Sequence, residues 1–188
     1  MDGQTEVNWT LWDILTNWLI QVHACFCLVP RTLFLVVNIF DRLLSARIIS
    51  LTQLQLVGIT SLLIASKVEE IVPSSIMLFL HCANRSYTKD KVLEAKRYIL
   101  KALRWNLSYP NPIHFLQRVG KASEFDVEAR TISKYLFKIS CLEWGLLSAP
   151  PSLSVAATIW LRCLSLGNET WVHLFSSTCY SADYLADA

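Results

Sequence analysis

The sequence predicts an all-α protein built in two helical parts, and three observations carry that prediction. Apolar residues recur at helical spacing along most of the chain, convincing strand alternation is missing, and Ser108-Tyr109-Pro110-Asn111-Pro112 interrupts the pattern in the middle. At 188 residues the chain can form one ordinary domain or two small ones, each with a core of its own.

The elements follow in order. Leu11, Ile14, Leu15, Trp18, Leu19 and Val22 fall on one stripe of a first helix. Pro30 punctuates, and Thr32 to Ser45 repeats the pattern through Leu33, Val36, Val37, Phe40 and Leu44. A short loop leads into Ile48 to Ser66, 19 residues without a charge. After Pro73, Ser74 or Ser75 caps a shorter helix to about Cys82. Thr88 is the expected N-cap of an amphipathic helix, Lys89 to Arg104, with Val92, Ala95, Ile99 and Leu103 on its inner side. Beyond the proline joint, helices are expected at about 113–121, 125–142 and 152–165, and a short one from Thr170 to Ser177. Leu43-Leu44-Ser45 and Leu146-Leu147-Ser148 are a faint echo between the two parts.

Composition narrows the function. Hydrophobic residues make up 53% and charged residues 17%, against roughly 25% charged in an average soluble domain. The apolar surplus predicts a surface that a partner covers. A net charge of +2 is far from the basic excess of phosphate binders, so no nucleic acid is expected. The uncharged run from Ile48 could span a bilayer by length. It contains Thr52, Gln53, Gln55, Thr60 and Ser61, however, which suits a buried core helix better than one facing lipid. No membrane is expected. MDGQTEVNWT has no basic start or apolar signal core, so the six cysteines read as small buried hydrophobes and the four sequons as unglycosylated.

Chemistry finds little support. His23, Cys25 and Cys27 invite a metal, but each two-residue step on a helix turns a side chain by about 200°, so the three cannot converge. Glu69 and Glu70 point about 100° apart, unlike a catalytic carboxylate pair. His81-Cys82, His114 and His173 lack a companion motif, and five glycines leave little for a phosphate loop. No catalytic residue, metal or cofactor is expected, and the chain reads as a binding protein. What stands out is charge at the ends of apolar helices: Asp41-Arg42, and Lys67 before Val68-Glu69-Glu70.

In their order, these motifs resemble the cyclins, most closely B-type mitotic cyclins of fungal character. The carriers are LWDILTNWLIQVH (11–23), LFLVVNIFDRLLS (33–45), LQLVGITSLLIASKVEEIVP (54–73), YTKDKVLEAKRYILKALRWNLSYPNPIHFL (87–116) and APPSLSVAATIWL (149–161). The resemblance implies a cyclin fold of two helical boxes, the first over 1–108 with a short preceding segment and the second, incomplete, over 109–188. It implies a regulatory subunit of the nucleus and cytoplasm that binds and activates a cyclin-dependent Ser/Thr kinase and helps select its substrates in mitosis. The kinase surface would comprise Lys67, Val68, Lys96, Leu100, Trp105 and Leu107. A patch for substrate or inhibitor peptides with Arg-x-Leu motifs would comprise Leu11, Ile14, Leu15, Trp18, Gln21, Leu54 and Gln55, although the bare stripe is also what a core helix needs.

The chain departs from the family pattern at three places. Trp12 stands where the family has an arginine that pairs with the aspartate matching Asp41, and removing one partner of a buried pair costs about 3–5 kcal/mol. Lys96 replaces a glutamate that grips the kinase together with the lysine at 67. Val68 replaces an aromatic. These changes predict weakened or altered kinase binding, and their alternative outcome is a cyclin-fold scaffold or adaptor with impaired kinase activation.

Overall fold

The computed structural model describes residues 3–122, 127–140, 143, 145 and 149–165. Among them every regular element is a helix: α1 (Trp9–Cys25), α2 (Pro30–Ala46), α3 (Leu51–Glu69), α4 (Ile76–Cys82), α5 (Lys89–Ala102), α6 (Pro112–Ala122), α7 (Val127–Ser140) and α8 (Pro151–Ser165). The expected Thr170–Ser177 helix, His173, Cys141, Cys179 and the Cys163 side chain lie outside the described residues. Backbone contacts divide the chain into Met1–Tyr109 and Pro110–Ala188.

α3 is the axis of the first unit, with α1, α2, α4 and α5 packed around it. Every residue from Val57 to Ser66 is buried, and each large apolar side chain among them contributes about 1.5–3 kcal/mol by leaving water. Its hydroxyls are absorbed locally: Thr60 Oγ1 donates to the Leu56 carbonyl (2.6 Å) and Ser66 Oγ to that of Leu63 (3.0 Å). α3 is long and apolar enough to cross a membrane by length and composition, and 61% of its apolar window is buried inside the protein. Gly58 sits where α1 crosses closely, since a Cβ there would meet the Leu15 methyls at 3.1 Å.

The helix starts follow from particular side chains. Asn8 Oδ1 accepts from Leu11 N (2.9 Å) and begins α1. Thr88 Oγ1 accepts from Lys91 N (3.3 Å) and begins α5. α2 begins with Pro30 and has no cap from its own sequence. Its cap comes from the end of α3, where Glu70 Oε1 accepts from Val29 N (2.8 Å) and from Thr32 Oγ1. Glu69 reaches Arg31 beside it (3.5 Å). The two glutamates therefore tie α3 to the positive end of α2.

Three helices of this unit end on left-handed residues without a glycine: Cys27 (φ 50°), Asn84 and Arg85 (49° and 55°), and Arg104 and Trp105 (54° and 60°). Glycine usually takes such positions because a Cβ is strained there. Long-reach backbone bonds hold the strained turns, Arg85 N to Leu80 O (2.9 Å) and Trp105 N to Leu100 O (2.8 Å).

In the second unit α8 packs against α6 and α7. Asn111 Oδ1 accepts from Ile113 N (3.2 Å) at the start of α6, and Pro151 opens α8. Among the described residues Ile113, Leu116, Phe137, Val155, Ala156 and Ile159 are buried there.

The cysteines correct an expectation. Cys25 and Cys27 are exposed and Cys82 is half-buried. Cys25 falls on the outer side of α1 with Gln21, and Cys27 lies past the helix end, so neither reaches the core.

Candidate functional site

α1 contributes one face to the core and one to the surface, and the division differs from the simple apolar stripe. Its buried residues are Trp12, Leu15, Thr16, Leu19, Ile20, Val22 and His23. Ile14 is 61% exposed, Gln21 is exposed, and Leu11 and Trp18 are half-buried. The neighbouring Leu15 and, on α3, Leu54 are buried, while Gln55 is half-buried. Tyr87 Oη donates to Gln55 Oε1 (3.3 Å), which holds the amide beside the start of α5. Of the seven predicted patch residues, then, Leu15 and Leu54 are buried and the others reach solvent. The stripe spans both core and surface because each turn of α1 places its apolar residues across more than one face.

The other predicted surface lies at the end of α3 and along α5. Lys67 is exposed in the last turn of α3, where its charge suits the helix dipole. Val68 is 53% exposed and is followed by fully exposed Ile71. On α5, only Val92 and Ile99 are buried. Lys96 and Leu100, one turn apart, are both half-buried at its edge. Trp105 is 70% exposed, set outward by its left-handed backbone, and Leu107 is half-buried. Neither Lys67 nor Lys96 forms an ion pair among the described residues.

Sequence reading missed what holds this tail in place. The Arg42 guanidinium on α2 donates to the Asn106 carbonyl (2.9 Å), between Trp105 and Leu107, and to Asn38 Oδ1 (3.4 Å). Asp41-Arg42 was visible as a charged interruption of α2, but its partner lies 64 residues away. A second groove, lined by Leu56, Val57, Tyr87, Lys91, Ala95 and Tyr98, runs between α3 and α5 on the side of α5 away from Lys96.

Trp12 proves to be neither surface nor a loss. It is fully buried, edge-on to Trp9 at 6.1 Å, and its Nε1 donates to Asp41 Oδ1 at 2.7 Å. The aspartate therefore keeps a donor, contrary to the uncompensated charge expected from the sequence. Burial pushes the Asp41 carboxyl up to about 7, against the opposing pull of the Trp12 bond. A neutral indole N–H suits a carboxyl that is close to neutral itself.

Glu69 and Glu70 are engaged at α2. His23 is buried with Nε2 against the Val29 carbonyl (3.0 Å), while Cys25 and Cys27 face solvent. No group of three or more potential ligands converges among the described residues.

Comparison with known proteins agrees with this architecture. The N-terminal domain of cyclins matches residues 1–108 and the C-terminal domain of cyclins matches residues 110–188. The chain is 49% identical over 171 residues to the G2/mitotic-specific cyclin cdc13 of Schizosaccharomyces pombe, covering 91% of this chain and 36% of that protein. It is 44% identical, with the same coverage of each, to the G2/mitotic-specific cyclin-B of Emericella nidulans. It thus spans about a third of the length of these relatives. A viral cyclin from herpesvirus saimiri has the same fold, with a TM-score of 0.88 at 19% identity, covering 99% of this chain and 84% of that one.

Proposed function

As the chain belongs to the cyclin family, we propose that it is a regulatory subunit that binds and activates a cyclin-dependent Ser/Thr kinase in mitosis. The observation that carries this reading is the surface of α3 and α5: Lys67, Val68, Lys96, Leu100, Trp105 and Leu107 all remain accessible, with apolar area beside unneutralised charge. An exposed tryptophan beside cations is typical of an interface centre. Its relatives bear the names of G2/mitotic cyclins, which supports the stage of the cell cycle. Catalysis would belong to the kinase, and the working place would be the nucleus and cytoplasm. The patch of Leu11, Ile14, Trp18, Gln21 and Gln55 with Leu15 and Leu54 would receive Arg-x-Leu peptides, its apolar residues taking the leucine.

Lys96 gives a specific reason for a second reading, an adaptor with impaired activation. A cation here repels a basic kinase surface that the family's glutamate would attract. Calorimetric titration of a mitotic cyclin-dependent kinase with the chain and with Lys96→Glu, followed by a histone kinase assay, separates the two. The regulatory reading expects binding and activation by the unmodified chain, with about tenfold tighter binding by the variant. Binding without activation supports the adaptor, and no binding by either protein overturns the kinase reading.

A further inference from the structure

The turn after α5 is built against local preference. Arg104 and Trp105 both take left-handed backbone, at φ 54° and 60°, without a glycine. Bonds within the turn hold its shape. Trp105 N donates to the Leu100 carbonyl (2.8 Å), Asn106 N to that of Leu103 (3.0 Å), and Ser108 N to Asn106 Oδ1 (3.0 Å). All of these reach five residues or fewer, so they shape the turn without tying it to another helix. That tie comes from α2, where the Arg42 guanidinium donates to the Asn106 carbonyl (2.9 Å) across 64 residues. Asn38 Oδ1, one turn earlier on α2, accepts from the other arm of the same guanidinium (3.4 Å) and orients it. Arg42 is half-buried, and a charged donor in such a place makes a strong bond.

We propose that Arg42 is a positioning residue of the kinase surface, fixing the turn that presents Trp105 and Leu107 and acting through those two side chains. The carbonyl it holds lies between them in the chain. Trp105 is 70% exposed, so packing does little to place its ring, and its direction follows from the backbone that carries it. Leu107 is half-buried on the other side of the held peptide. An anchor held in its bound position before docking loses less freedom when the partner arrives, and affinity rises accordingly. Asp41, next in the chain, turns instead to Trp12 (2.7 Å). The two charged residues that interrupt α2 therefore serve separate contacts, one in the core and one at the tail.

The effect on affinity rests on the kinase reading above; the tethering of the turn in the free protein does not. A residue that works through others has a definite signature. Its removal matters only while Trp105 and Leu107 are there to be presented, so its loss and theirs are not additive. It also loosens the turn before any kinase is added.

The test compares the whole chain with Arg42→Ala and Arg42→Lys, by amide hydrogen exchange without kinase and by calorimetric titration of a mitotic cyclin-dependent kinase. In Arg42→Ala, exchange over Trp105 to Ser108 should quicken about tenfold while the amides of α3 keep their protection. Kinase affinity should fall about fivefold to tenfold, and Arg42→Lys, which keeps a charged donor, should recover part of both. Added to a Trp105→Ala/Leu107→Ala chain, Arg42→Ala should change affinity by less than about twofold. Unchanged exchange in the turn, or quicker exchange with unchanged affinity, overturns the proposal. So does exchange that quickens equally through α3, which makes Arg42 a contact of the fold alone. A full further loss in the Trp105→Ala/Leu107→Ala chain puts Arg42 against the kinase directly and overturns it too. No binding by the unmodified chain or by Lys96→Glu overturns the function proposed above and this role with it, whatever the exchange shows of the tether.

Discussion

Trp12 and Lys96 are both departures from the cyclin pattern, yet the first lies in the core and the second at the surface. Trp12 is fully buried and gives its N–H to Asp41. Lys96 is half-buried at the edge of α5 with no ion pair among the described residues. One substitution has been absorbed by a rebuilt polar contact, and its energy belongs to folding. The other leaves its charge for whatever docks there. Two departures that look alike in sequence thus act on different equilibria.

The difference can be broken most forcefully at Trp12. Trp12→Ala should cost about 4 kcal/mol in urea unfolding, from the cavity it opens and the donor taken from Asp41. Kinase affinity of the fraction still folded should stay within about twofold, and a selective loss of affinity would return Trp12 to the interface.

Acidity should reveal the same contact. Asp41 has a folded pKa of about 7, above the ordinary 3.8, so the folded state holds its proton more tightly than the unfolded chain. Its contribution is full below about pH 4 and is lost as pH rises towards about 7, with a ceiling on the order of 4 kcal/mol. Asp41→Asn should remove that slope from stability measured across the interval. An unchanged slope would place the titration elsewhere.

Glu70 sharpens the comparison from the other end of α3. Glu70→Ala removes the acceptor for Val29 N and Thr32 Oγ1 and should cost about 1–2 kcal/mol in thermal unfolding. Glu70→Gln, which keeps an acceptor, should recover part of it.

The smallest effect on folding is expected at Ile14, which is 61% exposed. Ile14→Ala should alter stability by less than about 0.5 kcal/mol while weakening an Arg-x-Leu peptide several-fold by fluorescence anisotropy. Unchanged peptide affinity would detach Ile14 from the patch.

Much of the fold was legible because its signals are local. Thr88 before Lys89 marked the start of α5, and the uncharged run marked α3. Boundaries shifted where the deciding group was remote: α2 begins at Pro30 rather than Thr32, capped by Glu70 from another helix. α1 begins after its cap Asn8, ahead of Leu11, where the apolar stripe starts. The candidate patch was legible as residue types, but periodicity could not tell that Ile14 faces water while Leu15 is buried.

Sequence alone determined the helical class, the two-part order and the absence of local catalytic motifs, because periodicity, prolines and short caps act within a few residues. Tertiary structure decided which residues of α1 are core, that Trp12 satisfies Asp41, and that Arg42 holds the Asn106 carbonyl. Those pairs are separated by 29 residues or more, and their partners are chosen by packing around α3.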